Sequence, residues 1–140
     1  MRKIFYLLLF LLFVFNVNAN SHIDVNIIPK EYHPGDTLQA EVDLNTVKPI
    51  SQQDIWIKDS SGNKIKISPF ILKFDGYAIY SYFLYFDLPK NLEIGSYDLL
   101  IENLFYIKNG NLVKEDYSEK FEIKNGVGVS FNPAAVVFDD

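Results

Sequence analysis

The chain has no cysteine. Disulfides therefore play no part in its stability, and thiol catalysis and thiolate metal sites are excluded. It has two histidines, His22 and His33, both near the N-terminus, and one tryptophan, Trp56. Nucleophilic catalysis needs a base beside its nucleophile, and so few histidines make an enzyme a poor reading. There is no glycine-rich phosphate loop and no Asn-x-Ser/Thr acceptor for glycosylation. No stretch of useful length carries the apolar period of a helix. The one long apolar run, Ile4 to Phe15, is twelve residues, short of the roughly 20 that span a bilayer.

That run has a recognisable setting. Arg2 and Lys3 precede it, and residues 16–19 follow it as a short polar segment with small side chains at Val17 and Ala19. This is the layout of a secretory signal cut after Ala19, which is favoured over a retained membrane anchor. No cysteine follows the run, so a thioether lipid anchor at the new N-terminus is excluded. Loss of residues 1–19 removes two positive charges and moves the formal charge from −5 to −7. An acidic surface repels phosphate backbones, so nucleic acid is not expected as a partner. The remaining chain is expected to be secreted, periplasmic or held at the cell surface, without membrane contact. With 49% hydrophobic and 16% aromatic residues, packing alone can stabilise one domain of this size.

Two-residue alternation dominates from residue 23 onward. Ile23, Val25 and Ile27 alternate with Asp24 and Asn26, and Pro29 ends that strand. YHPGDT is a turn, in which Pro34 fixes φ and Gly35 supplies the freedom to bend. Leu38, Ala40, Val42 and Leu44 then alternate with Gln39, Glu41 and Asp43, as in an antiparallel strand with one wet face. DIWIKD, SSGN and KIKIS read as a hairpin that places Ile55, Ile57, Ile65 and Ile67 on one side. FILKF (70–74) is a further short strand, and Tyr77 to Leu88 is the most hydrophobic one. Residues 96–104 form another, the chain turns back at Asn109-Gly110, and Phe121 and Ile123 mark the last. Strands at this spacing point to a β-sandwich over residues 20–125.

In LEIGSYDLLI, residues 92–101, Leu92 and Gly95 lead into Tyr97, and Leu99 and Ile101 continue the inward face. In Greek-key sandwiches a tyrosine near the start of the sixth strand bonds its hydroxyl to upstream backbone. The alternative is a tyrosine placed for strand propensity. With PGDT (34–37) and IKDSSGN (57–63), this stretch resembles the immunoglobulin-like sandwiches of prokaryotic secreted and surface proteins, closest to macroglobulin-like and related modules. The resemblance covers residues 23–124 and implies an all-β fold: an immunoglobulin-like Greek-key β-sandwich of seven to eight antiparallel strands behind a cleaved signal peptide. It implies no cofactor and no catalytic residue. The chain departs from antibody-type domains in lacking paired cysteines, and Ile55 and Ile57 compete with Trp56 for the inward position.

The remaining candidates are sparse. His33 lies in a solvated turn, and Glu41, Asp43, Asp98 and Glu102 fall on outward positions. DSSGN places its glycine too early for a calcium loop of the EF-hand kind. Cleavage after Ala19 exposes Asn20-Ser21-His22, whose amine, two amides and imidazole make a square-planar set suited to Cu(II) or Ni(II); a histidine placed there by chance is the plainer reading. In YAIYSYFLYFDL, Ala78, Tyr80, Tyr82, Leu84 and Phe86 share one face, and Ile79, Phe83 and Tyr85 the other. A strand apolar on both faces is either covered, here by residues 70–74 or 105–113, or it exposes a docking surface for a partner protein or neighbouring domain.

Residues 126–140 follow the domain. Val127, Val129, Phe131, Pro133 and Asp140 stand 104 positions after Ile23, Val25, Ile27, Pro29 and Asp36. The segment is an added strand of its own sheet, a strand donated to another molecule in self-association, or the start of a second repeat.

Overall fold

The computed structural model describes residues 23–44, 46–75 and 80–129. The expected signal, the Asn20-Ser21-His22 motif and residues 130–140 lie outside these. The described chain is all β apart from one 3-10 turn, Gln52–Asp54. Its strands are β1 (Ile23–Ile27), β2 (Glu31–Tyr32), β3 (Thr37–Leu44), β4 (Ile55–Asp59), β5 (Lys64–Lys66), β6 (Phe70–Asp75), β7 (Tyr80–Asp87), β8 (Gly95–Lys108) and β9 (Asn111–Ile123). They form two sheets, ordered β1-β3-β7-β6 and β2-β9-β8-β4-β5.

Nine strands replace the expected seven to eight, and not all are antiparallel. The first apolar segment is divided: β1 pairs with β3, whereas β2 joins the other sheet and runs parallel to β9. Pro29 lies between them and has no N–H to offer a ladder, so the chain changes sheets there. β5 is the second arm of the expected hairpin with β4, so β2 is the strand added to eight.

Alternation decides what fills the space between the layers. Ile27, Leu38, Val42, Ile57, Leu84 and Ile101 have no exposed surface, and each contributes about 1.5–3 kcal/mol by leaving water. Trp56 points outward, since Ile55 and Ile57 take the inward sites. Its ring lies under the Lys64 ammonium, 5.6 Å from the centroid.

β8 and β9 make a long ribbon closed at Asn109-Gly110, whose φ values of 52° and 78° match the right-handed twist of a two-residue hairpin. The ribbon changes phase once. Ile101 faces Tyr117, but Leu104 faces Glu115, so Glu102 and Asn103 oppose Asp116 alone. Asn103 sits at φ 57°; its N–H donates to Asp116 Oδ1 at 2.9 Å and its amide to Asp54 Oδ1 at 2.8 Å. Both Ile101 and Leu104 are therefore buried.

A candidate docking face

At the corner between β7 and β8, the Tyr97 hydroxyl donates to the Glu93 carbonyl at 3.0 Å. Its ring stacks on Phe121, with centroids 5.9 Å apart, and Leu92 is buried beside it. Burial pushes the phenol pKa up, and the Glu93 and Asp59 charges add to that. Gly95 opens the strand. Leu92, Gly95 and Tyr97 thus come together at this one corner.

Pro34 and Gly35 form a turn closed by the Asp36 N–H donating to the His33 carbonyl at 3.0 Å, with Gly35 at φ 87°. The Asp36 carboxylate accepts the His33 N–H at 2.5 Å, faces His33 Nδ1 at 3.2 Å, and accepts the Val129 N–H. Burial acts to raise its pKa, but those donors outweigh it and the net shift is downward. Residues 126–129 thus lie against this turn without forming a strand. Gly128 is needed there, because a Cβ would stand 2.3 Å from the Pro34 carbonyl oxygen. The correspondence of Phe131, Pro133 and Asp140 lies outside the described residues.

Asp59 closes the β4–β5 hairpin by accepting the Ser61 and Asn63 N–H groups at 2.9 and 2.8 Å, so DSSGN acts as a turn. Asp98 pairs with Lys58 at 3.6 Å and Glu102 with Lys64. Among the described residues no group of three or more His, Asp or Glu could hold a metal ion.

The doubly apolar strand gives a different result. On β7, Tyr82, Leu84 and Phe86 are buried, and Phe83 and Tyr85 face outward, half-buried. Ala78 and Ile79 lie outside the described residues. The 70–74 segment does not cover this outer face. It is β6, paired edge to edge with β7 (Phe70 to Tyr85, Leu72 to Phe83, Phe74 to Ser81), and it widens the face. Residues 105–113 belong to the other sheet. Phe70, Leu72 and Phe74 are 47%, 36% and 54% exposed. The Phe70 and Tyr85 rings meet at 4.9 Å and those of Phe83 and Tyr85 at 6.2 Å.

Beside this apolar half stands a polar one. Glu41 of β3 lies opposite Phe83, and Asp43 lies opposite Ser81, whose hydroxyl donates to Asp43 Oδ1 at 2.5 Å. Between them runs a groove of about 380 Å³ lined by Glu41, Asp43, Phe74, Ser81, Tyr82 and Phe83. The alternation of Phe70, Leu72 and Phe74 was readable in the sequence. Their neighbourhood with Glu41 and Asp43 was not, because it depends on the register of β3 against β7.

No family profile and no curated protein matches the chain.

Proposed function

We propose that the chain is an exported, non-catalytic immunoglobulin-like module that binds a protein partner, at the cell surface or in the periplasm, through the outer face of β6 and β7. One observation carries this reading: five apolar side chains adjoin on a sheet face that nothing among the described residues covers. Large contiguous apolar patches on soluble domains mark contact sites. Two histidines and no cysteine support the non-catalytic part. The Greek-key assignment draws support from the strand order and from the chain crossing between sheets after β3, β5 and β7. With β2 counted as part of the divided first strand and β5 as an addition, Tyr97 falls on the sixth strand. The likeness to prokaryotic macroglobulin-like modules continues to rest on PGDT, IKDSSGN and LEIGSYDLLI.

The test is capture by the immobilised chain from extracts of its source cells, with a Leu72→Ser/Phe74→Ser variant alongside. A partner held by the parent and lost by the variant supports the reading. One held equally by both places the binding surface elsewhere.

A second reading, a structural subunit joined through its C-terminal segment, draws support from the seating of residues 126–129 on the 33–36 turn. Size-exclusion chromatography of residues 20–140 against 20–125 checks it. A longer form that stays monomeric at high concentration removes strand donation.

A further inference from the structure

The outer face of the β1-β3-β7-β6 sheet is divided by charge as well as polarity. Its apolar half lies on β6 and β7, its carboxylates on β3 and β1 and at Asp87, the last residue of β7, which accepts the Thr37 hydroxyl; none of the outward positions described on the four strands is lysine or arginine. The other sheet differs, for there Asp98 and Glu102 each face a lysine. The groove follows the boundary between the two halves, with aromatic rings on one wall and the Glu41 and Asp43 side chains on the other.

We infer that this groove takes a lysine or arginine side chain from a protein segment whose flanking residues are apolar and lie along β6. This rests on the reading of the face as the binding surface. The complementarity has three parts. A cation between Phe74 and Phe83 meets the negative faces of the rings. Its charged end reaches Glu41 and Asp43, which face no lysine or arginine at the described outward positions of the four strands, and its methylene stem covers apolar surface. β6 is the edge of its sheet, so an extended segment can add to it through backbone hydrogen bonds while alternate side chains enter the groove. A second copy of this chain fits less well, because it brings the same carboxylates and a formal charge of −5. An anionic lipid surface is opposed for the same reason.

The test titrates the full chain with three strand-length synthetic peptides that alternate arginine with leucine, glutamate with leucine, and arginine with serine. The arginine–leucine peptide is expected to bind, and the other two to bind about tenfold more weakly or worse. A Glu41→Gln/Asp43→Asn variant with an unchanged melting temperature should lose about tenfold in affinity for it, and added salt should weaken the parent complex. Equal binding of the glutamate–leucine peptide overturns the inference, as does binding that survives Leu72→Ser/Phe74→Ser, or no binding by any peptide. Self-association abolished by Phe74→Ser assigns the face to a second copy, and adsorption to phosphatidylcholine vesicles assigns it to lipid; either overturns the inference. A captured partner lost with Leu72→Ser/Phe74→Ser but held by Glu41→Gln/Asp43→Asn also overturns it and leaves the proposed binding surface standing.

Discussion

The Tyr97 hydroxyl bonds to the backbone carbonyl of Glu93, four residues upstream, across 3.0 Å. The phenol thereby ties the loop entering β8 to the strand itself. Tyr97→Phe keeps the ring on Phe121 and removes only the donor. It is expected to cost about 1–2 kcal/mol, the usual price of leaving such a carbonyl unpaired. Urea denaturation of parent and variant measures it, and a variant as stable as its parent denies the bond any locking role.

Asp36 gives a pH dependence with a definite sign. Its folded pKa is lowered despite burial, because the His33 and Val129 groups donate to it. The stability it supplies is therefore present above the ordinary carboxylate pKa and lost as pH falls through the folded value. Asp36→Asn should be about 1 kcal/mol less stable than the parent near pH 7. The gap should narrow as pH falls from the ordinary carboxylate range through the lowered folded value, where Asp36 takes up its proton. Denaturation curves across an acid pH series check this.

Gly128→Ala probes the same contact from the other side. Its Cβ would stand 2.3 Å from the Pro34 oxygen and 2.8 Å from the Asp36 nitrogen, so the segment must lift away. Amide hydrogen exchange at Val129 should speed up in this variant and in Asp36→Asn. Unchanged protection in both would mean that the segment is held elsewhere.

Tyr106 donates to Glu115, and its pKa is pushed up to about 12, first by that bond, then by burial and by the Glu115 charge. A raised phenol pKa supplies stability that is complete below the unfolded value of 10.0 and is lost as pH rises toward 12. Glu115→Gln should bring the Tyr106 titration down toward the ordinary value, followed by tyrosinate absorbance. A parent that titrates fully as ordinary tyrosine contradicts this.

Leu72→Ser and Phe74→Ser should change stability by no more than about 0.5 kcal/mol, as expected for exposed sites. Leu84→Ala, one strand away and facing in, should cost about 2–5 kcal/mol. Equal losses at Leu72 and Leu84 would place a covering layer over the face.

The two layers were legible because alternation reports which side of a strand is wet. Val42, Leu84 and Ile57 each repeat at two-residue spacing, and each is fully buried. Sheet membership was not legible. Nothing local distinguishes FILKF beside β7 from FILKF above it, since that choice is made by pairing partners far away in the chain. The division of the first strand escaped for a related reason: Pro29 signals a stop, but not that Tyr32 restarts in the opposite layer. The groove needed the register of Glu41 against Phe83, a relation between residues 42 positions apart. In the ribbon, the extra residue at Glu102-Asn103 is visible only as Ile101 and Leu104 breaking the alternation, and a tyrosine at 106 is needed to see the new parity.

That extra residue gives the ladder slack at one point. Deleting Asn103 would leave Glu102 alone opposite Asp116, so Leu104 and Tyr106 would stay on the core side in an unbulged ladder that lacks the Asn103 bonds to Asp116 and Asp54. A single residue inserted or removed between Leu104 and the hairpin tip has no such slack to absorb it and would turn over the positions beyond it, whereas the loss of one residue at Glu102-Asn103 should be borne.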